Sequence, residues 1–194
     1  MTEGGRMILK CDSKMSRVEW TRPQFYQSGR LNRIAASGRH VFMVHPNGKL
    51  RRLSQGNGAV QAEWQIGIDG AAPSDIDARD TNLVATYPAK NLVRWLSVEN
   101  GSVLAEASLK EAGAVAVVGS SAKGAAFVAS HQDLFQVRPG QAPRKVASLS
   151  TEIVAMDFDP ERKELWVVLD GSRIARLDAS PVSYTHLTLP TTIE

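Results

Sequence analysis

Short runs of apolar residues recur along the chain, each a few residues long and each closed by a turn signal. Four of them read as strands: Val41-Phe42-Met43-Val44, Leu83-Val84-Ala85-Thr86, Ala126-Phe127-Val128-Ala129 and Leu165-Trp166-Val167-Val168. Each is preceded by a half-alternating run: Arg33-Ile34-Ala35-Ala36, Asp75-Ile76-Asp77-Ala78, Val115-Ala116-Val117-Val118 and Ile153-Val154-Ala155-Met156. Each is followed by a third: Leu50-Arg51-Arg52-Leu53, Leu92-Val93-Arg94-Trp95, Leu134-Phe135-Gln136-Val137 and Arg173-Ile174-Ala175-Arg176-Leu177. Alternation of apolar and polar positions over a few residues is the mark of a half-buried strand. Phe42, Val84, Phe127 and Trp166 occupy matching places, at spacings of 42, 43 and 39 residues.

Turn residues fall in register with this period. Asn47-Gly48 and Asp170-Gly171 separate second from third strands, where glycine accepts the positive φ of a tight hairpin. Asn57-Gly58, Asn100-Gly101 and Pro139-Gly140 follow third strands, and a fourth strand is expected after each: Val60 to Ile66, Val103 to Leu109 and Lys145 to Leu149. Leu104 to Ala114 holds helix formers, but Val103-Leu104-Ala105-Glu106 reads equally well as strand. Four short antiparallel strands in about 40 residues are the signature of a propeller blade. The expected fold is all-β, a partial β-propeller of four-stranded antiparallel blades.

At this point the chain resembles the WD40-like and quinoprotein-like β-propeller superfamily, over residues 31–180. Ile174-Ala175-Arg176-Leu177-Asp178 is similar to the third-strand ending of WD repeats, with Leu177 where Trp is usual and Asp178 matching the Asp. Trp95 sits in the same strand of the second repeat, with Leu96 in place of the Asp. No Gly-His pair opens any repeat. The resemblance implies recognition by loops on a rigid ring.

Residues 31–180 hold three to four blades. Met7 to Lys10 and Val18 to Trp20 suggest two strands of an earlier, shorter blade within 1–30, and Phe25-Tyr26 the start of its last strand. The fourth repeat stops at Ala179, before any fourth strand. Propellers close with roughly 4 to 8 blades, so the expected ring is incomplete and its last edge open. Open edges pair with other chains, and the expectation is a poorly soluble or oligomeric polypeptide. Residues 181–194 change character: no charge appears before Glu194, and Val182 to Thr191 reads like a translated sequencing adapter. That tail is set apart from fold reasoning as foreign, which implies a cut gene.

The chain has 194 residues, 43% hydrophobic and 22% charged, a balance that suits a folded chain and not a disordered one. No apolar run approaches the roughly 18 residues of a membrane helix. The single cysteine, Cys11, rules out an internal disulfide and a cysteine-based zinc cluster. Thr2 to Lys10 lacks the apolar centre of a secretory leader; the chain reads as cytoplasmic as it stands, and as periplasmic or secreted if the true start lies upstream.

Candidate chemistry is sparse. Asp75 and Asp77 share one face of a first strand, as do Asp157 and Asp159, and first strands line a propeller's channel. Converging carboxylates would hold a hard cation such as Ca²⁺. That is the basis of an alternative reading as a propeller enzyme, either a metal-dependent lactonase-like hydrolase or a quinoprotein-like oxidoreductase. The plainer role for such residues is turn capping, with Asp159-Pro160 a ready turn start. His40, His45 and His131 lack the spacing of a zinc motif. No Gly-x-Ser-x-Gly elbow or phosphate-binding glycine loop occurs.

Charge is uneven. Up to Leu53 eleven bases stand against three acids, a net +8, while the remainder to Ser180 carries −4. Arg51 and Arg52, with Trp20 among the bases, suggest a surface for an acidic partner or, as a third reading, for nucleic acid. Solvated bases and core aromatics are the favoured account. Trp64, Trp95 and Trp166 are expected to fill the gaps between blades. The sequence thus favours a non-catalytic protein-binding or scaffold module without cofactor.

Overall fold

The structure is a computed structural model. It describes the backbone of residues 6–11 and 18–24, and residues 33–121, 123–171 and 173–178 in full. Phe25-Tyr26 and the tail 181–194 lie outside the described residues.

Every repeat folds as an antiparallel meander whose strands pair in chain order. The first sheet is β3 (Arg33–Ser37), β4 (His40–Val44), β5 (Lys49–Ser54) and β6 (Val60–Gln65), after a separate pair β1 (Arg6–Cys11) and β2 (Val18–Gln24). The second is β7 (Asp75–Arg79), β8 (Asn82–Tyr87), β9 (Leu92–Ser97) and β10 (Val103–Ser108). The third is β11 (Val115–Val117), β12 (Ala126–Ser130), β13 (Asp133–Val137) and β14 (Arg144–Ser148). The fourth has three described strands, β15 (Ile153–Asp159), β16 (Glu164–Leu169) and β17 (Arg173–Asp178). Of the helix-forming segment Leu104 to Ala114, the part up to Ser108 is strand, because β10 pairs along β9, and 109–114 is turn and irregular chain. The one helical element among the described residues is a 3-10 turn, Pro88–Lys90.

The innermost strands β3, β7, β11 and β15 pack side by side in that order. Four blades thus stand side by side as in a β-propeller, with three hydrophobic clusters between successive sheets. Phe42, Leu50, Leu83 and Tyr87 join the first to the second. Val84, Trp95, Val117 and Val128 join the second to the third. Phe127, Leu134, Leu165 and Val167 join the third to the fourth. Period-2 alternation sends successive side chains to opposite faces, so β8 and β12 each serve two interfaces. Each fully buried aliphatic or Phe side chain stabilises by about 1.5–3 kcal/mol.

Two turn glycines are dictated by backbone conformation and packing together. Gly48 has φ +78°, and a Cβ there would lie 2.7 Å from Gly67 Cα. Gly101 has φ +70°, and a Cβ would meet Trp64 Cγ at 2.6 Å. The Asn before each turn glycine bonds two residues on, Asn47 to Lys49 N–H and Asn100 to Ser102 N–H. Trp64 and Trp95 fill gaps between sheets as the sequence suggests. Trp166 departs from that expectation and is 39% exposed. Among the described residues no sheet follows on that face, a property of tertiary placement that strand pattern does not carry.

Candidate functional site

Asp75 and Asp77 face the third sheet from β7. Val115 N–H donates to Asp75 Oδ2 at 3.0 Å, and Val117 N–H donates to Asp77 Oδ2 at 2.6 Å. Ala78 N–H donates to Asp77 Oδ1 at 2.8 Å. Innermost strands of neighbouring sheets are too far apart to form a ladder, so carboxylates at alternate positions accept the amides a ladder would otherwise use. Burial pushes the Asp77 carboxyl up to about 6, outweighing those amides, and the nearby Asp157 and Asp75 push the same way. Burial raises Asp75 as well, against Val115 N–H and Arg33.

Asp157 and Asp159 have different surroundings. Asp157 is exposed, with its Oδ1 on Phe158 N–H at 2.8 Å. Asp159 caps the following turn: its Oδ1 accepts from Glu161 and Arg162 N–H, and its Oδ2 pairs with Arg162 at 3.0 Å. The Arg162 amide and guanidinium, with Glu161 N–H, hold its carboxyl below the usual range. Among the described residues, no cluster of three or more His, Cys, Asp or Glu side chains has metal-holding geometry.

Arg79, which the sequence does not single out, ties three sheets together. Its Nε donates to Val117 O at 3.1 Å and its Nη2 to Phe158 O at 2.6 Å, with the guanidinium 5.3 Å from the Phe158 ring centre. Asn82, Thr86 and Trp95 do similar work between the second and third sheets. Asn82 Nδ2 donates to Gly119 O at 3.0 Å, Thr86 Oγ1 to Gly113 O at 2.6 Å, and Trp95 Nε1 to Gly124 O at 2.8 Å. A polar residue within an otherwise apolar strand was the one legible signal of these latches.

Arg51 and Arg52 point to opposite faces of β5, so they do not form one basic patch. Arg51 Nε lies 2.6 Å from Glu63 Oε2 and Lys49 Nζ lies 2.7 Å from Glu63 Oε1. These two cations pull the Glu63 carboxyl down to about 2. Arg52 crosses to the second sheet, donating to Val98 O at 2.8 Å and to Glu99 Oε2 at 3.3 Å, with its guanidinium 5.5 Å from the Trp64 ring centre. Trp20 lies in β2, and its side chain is outside the described residues. His40 meets Gln61 at 2.9 Å and His131 meets Glu111 at 2.6 Å.

A groove of about 530 Å³ opens between the first and second sheets, lined by Arg33, His45, Ala72, Ser74, Tyr87 and Pro88 among others. Val44, Pro46, Pro73 and Pro88 give it apolar walls. Arg33 Nε donates to Ser74 O at 2.6 Å and stands 3.8 Å from Asp75, with nearly half of its side chain exposed. Tyr87 OH donates to Ile66 O at 2.8 Å, and burial pushes its phenol up to about 12. Burial and Arg51 depress the His45 imidazole.

No family model and no curated protein matches the chain. Among solved structures it is similar to that of the computationally designed Ika4 protein. The TM-score is 0.58 and the identity 12%, over 86% of this chain and 100% of that one. A likeness at that identity concerns fold alone, and the class it defines is the β-propeller.

Proposed function

We propose that this chain is a non-catalytic binding module of β-propeller type, of the WD40-like or quinoprotein-like kind, which recognises a protein partner through loops on a rigid frame. The groove between the first and second sheets carries the reading. Its apolar walls suit an extended segment, and Arg33 on its rim offers a cation to an acidic side chain. Of the inner-strand carboxylates, Asp75 and Asp77 serve the third sheet and Asp159 its own turn, which supports structural roles for these three.

A photo-crosslinking residue at Ala72, compared with one at the distant exposed Glu161, tests this in extract of the source cells. The expected result is a discrete protein adduct at 72, weakened by Arg33→Glu and missing at 161. Equal adducts at both positions, no adduct at 72, or an adduct removed by nuclease would each overturn it.

A further inference from the structure

Each of the first three sheets turns one face toward the next sheet. Phe42, Val84 and Phe127 hold the same register place on that face and are 0%, 0% and 2% exposed. The fourth sheet carries Trp166 at that place, and Val154 and Ile174 of the same sheet are 44% and 57% exposed. Large apolar side chains gathered on one uncovered sheet face mark a surface for a partner.

The polar residues around Trp166 repeat the latches of the other sheets. Arg176 pairs across from Trp166 as Arg52 does from Phe42, and its Nη1 stands 3.3 Å from Glu164 Oε1 of the same sheet. In the first sheet that arginine reaches the Val98–Glu99 turn of the next. Asp157 pairs across from Trp166 as Asp77 does from Val84. Asp157 Oδ1 accepts from the following amide as Asp77 Oδ1 does, both at 2.8 Å. Asp77 then spends its Oδ2 on the next sheet, whereas no bond to Asp157 Oδ2 exists among the described residues. Glu164 Oε2, in the neighbouring register row, is buried without a hydrogen-bond partner.

We propose that this face of the fourth sheet is the docking surface for a further sheet of the same blade type. The incoming sheet would lay a Leu/Val/Ala face over Trp166, Val168 and Ile174, as Leu83 and Ala85 lie over the first sheet. Its innermost strand would give a main-chain N–H to Asp157 Oδ2, and its third-strand turn a carbonyl and a carboxylate to Arg176. The first sheet is no match for this place. Its corresponding turn, Gln55 to Gly58, has no acid, and Val41, Met43 and Leu53 on its far face are already buried. The surface is separate from the groove, so the inference stands whether or not the groove binds.

Two extended chains test it. In one, residues 55–112 are repeated directly after Asp178, supplying a fourth strand and a second-type sheet with its Val98–Glu99 turn. In the other, residues 98–149 are repeated there, supplying a third-type sheet. Both keep the register that β5 and β9 have at Ser54 and Ser97. The proteins are labelled with 5-fluorotryptophan, and Trp166→Phe assigns the Trp166 resonance. A soluble gadolinium chelate should broaden that resonance in the chain itself and broaden it several-fold less in an extended chain. Arg176→Ala should restore broadening in the 55–112 extension and should lower that extension's melting temperature by more than the unextended chain's, where it removes only the Glu164 ion pair. Equal broadening with and without an added sheet overturns the proposal, and a misfolded extension leaves the other to decide. Protection of Trp166 in the unextended chain, at a dimer's mass by light scattering, also overturns it by showing that a second copy is the occupant.

Discussion

At the scale of single residues, Asp77 shows how a carboxylate in a propeller channel can be structural. Removing its side chain in Asp77→Ala strands the Val117 N–H, which should cost about 1–3 kcal/mol in urea unfolding. Its folded carboxyl titrates near 6 against an ordinary 3.8, so it binds a proton more readily folded than unfolded. Its contribution is therefore fully present below about pH 4 and is lost as pH rises toward 6. In Asp77→Asn that component of the pH–stability curve should disappear. His45 has the opposite sign: its imidazole is depressed from 6.5, so the folded state resists protonation and stability falls as pH drops below about 6.5. Urea midpoints of His45→Gln between pH 5 and 8 should lack that fall. Gly101→Ala should destabilise by more than 1 kcal/mol, because its φ and Trp64 both oppose a Cβ. Addition of Ca²⁺ should leave the melting temperature unchanged, as Asp75 and Asp77 already serve main-chain donors; a rise of several degrees would restore the metal reading.

At the scale of the element, a sheet is stabilised by the faces it buries against its neighbours. The second and third sheets are covered on both faces, whereas the fourth has one covered face. Amide exchange should follow that difference. Backbone amides of β17, which lies at the rim of a sheet with one covered face, should exchange well before those of β8 and β9. Comparable protection in β17 and β8 would mean that something covers the fourth sheet in solution. The strand starts, turns and fourth strands were legible to within a residue or two, since alternation and Asn-Gly turns are local signals. Arg79 was not legible. Its partners Val117 O and Phe158 O are main-chain atoms 38 and 79 positions away, and no local pattern encodes them.

At the scale of the whole molecule, apolar packing runs between successive sheets and stability accrues interface by interface, with Arg79 adding a tie from the second sheet to the fourth. Among the described residues, Lys49, Arg51 and Arg52 do not gather into one basic face. Arg51 and Lys49 share the single Glu63 carboxylate, and Arg52 is taken up by the second sheet. The runs of apolar and polar positions by themselves determined the all-β class, the repeat, the four-strand meander and the turn residues, because strand alternation and turn φ are decided within a few residues. Tertiary structure alone decided which carboxylates become main-chain acceptors, which arginine becomes a latch, and that Trp166 stays uncovered where Phe42 and Phe127 are buried. Those outcomes depend on which sheet stands beside which, and the sequence of a strand is the same whether or not a neighbour arrives.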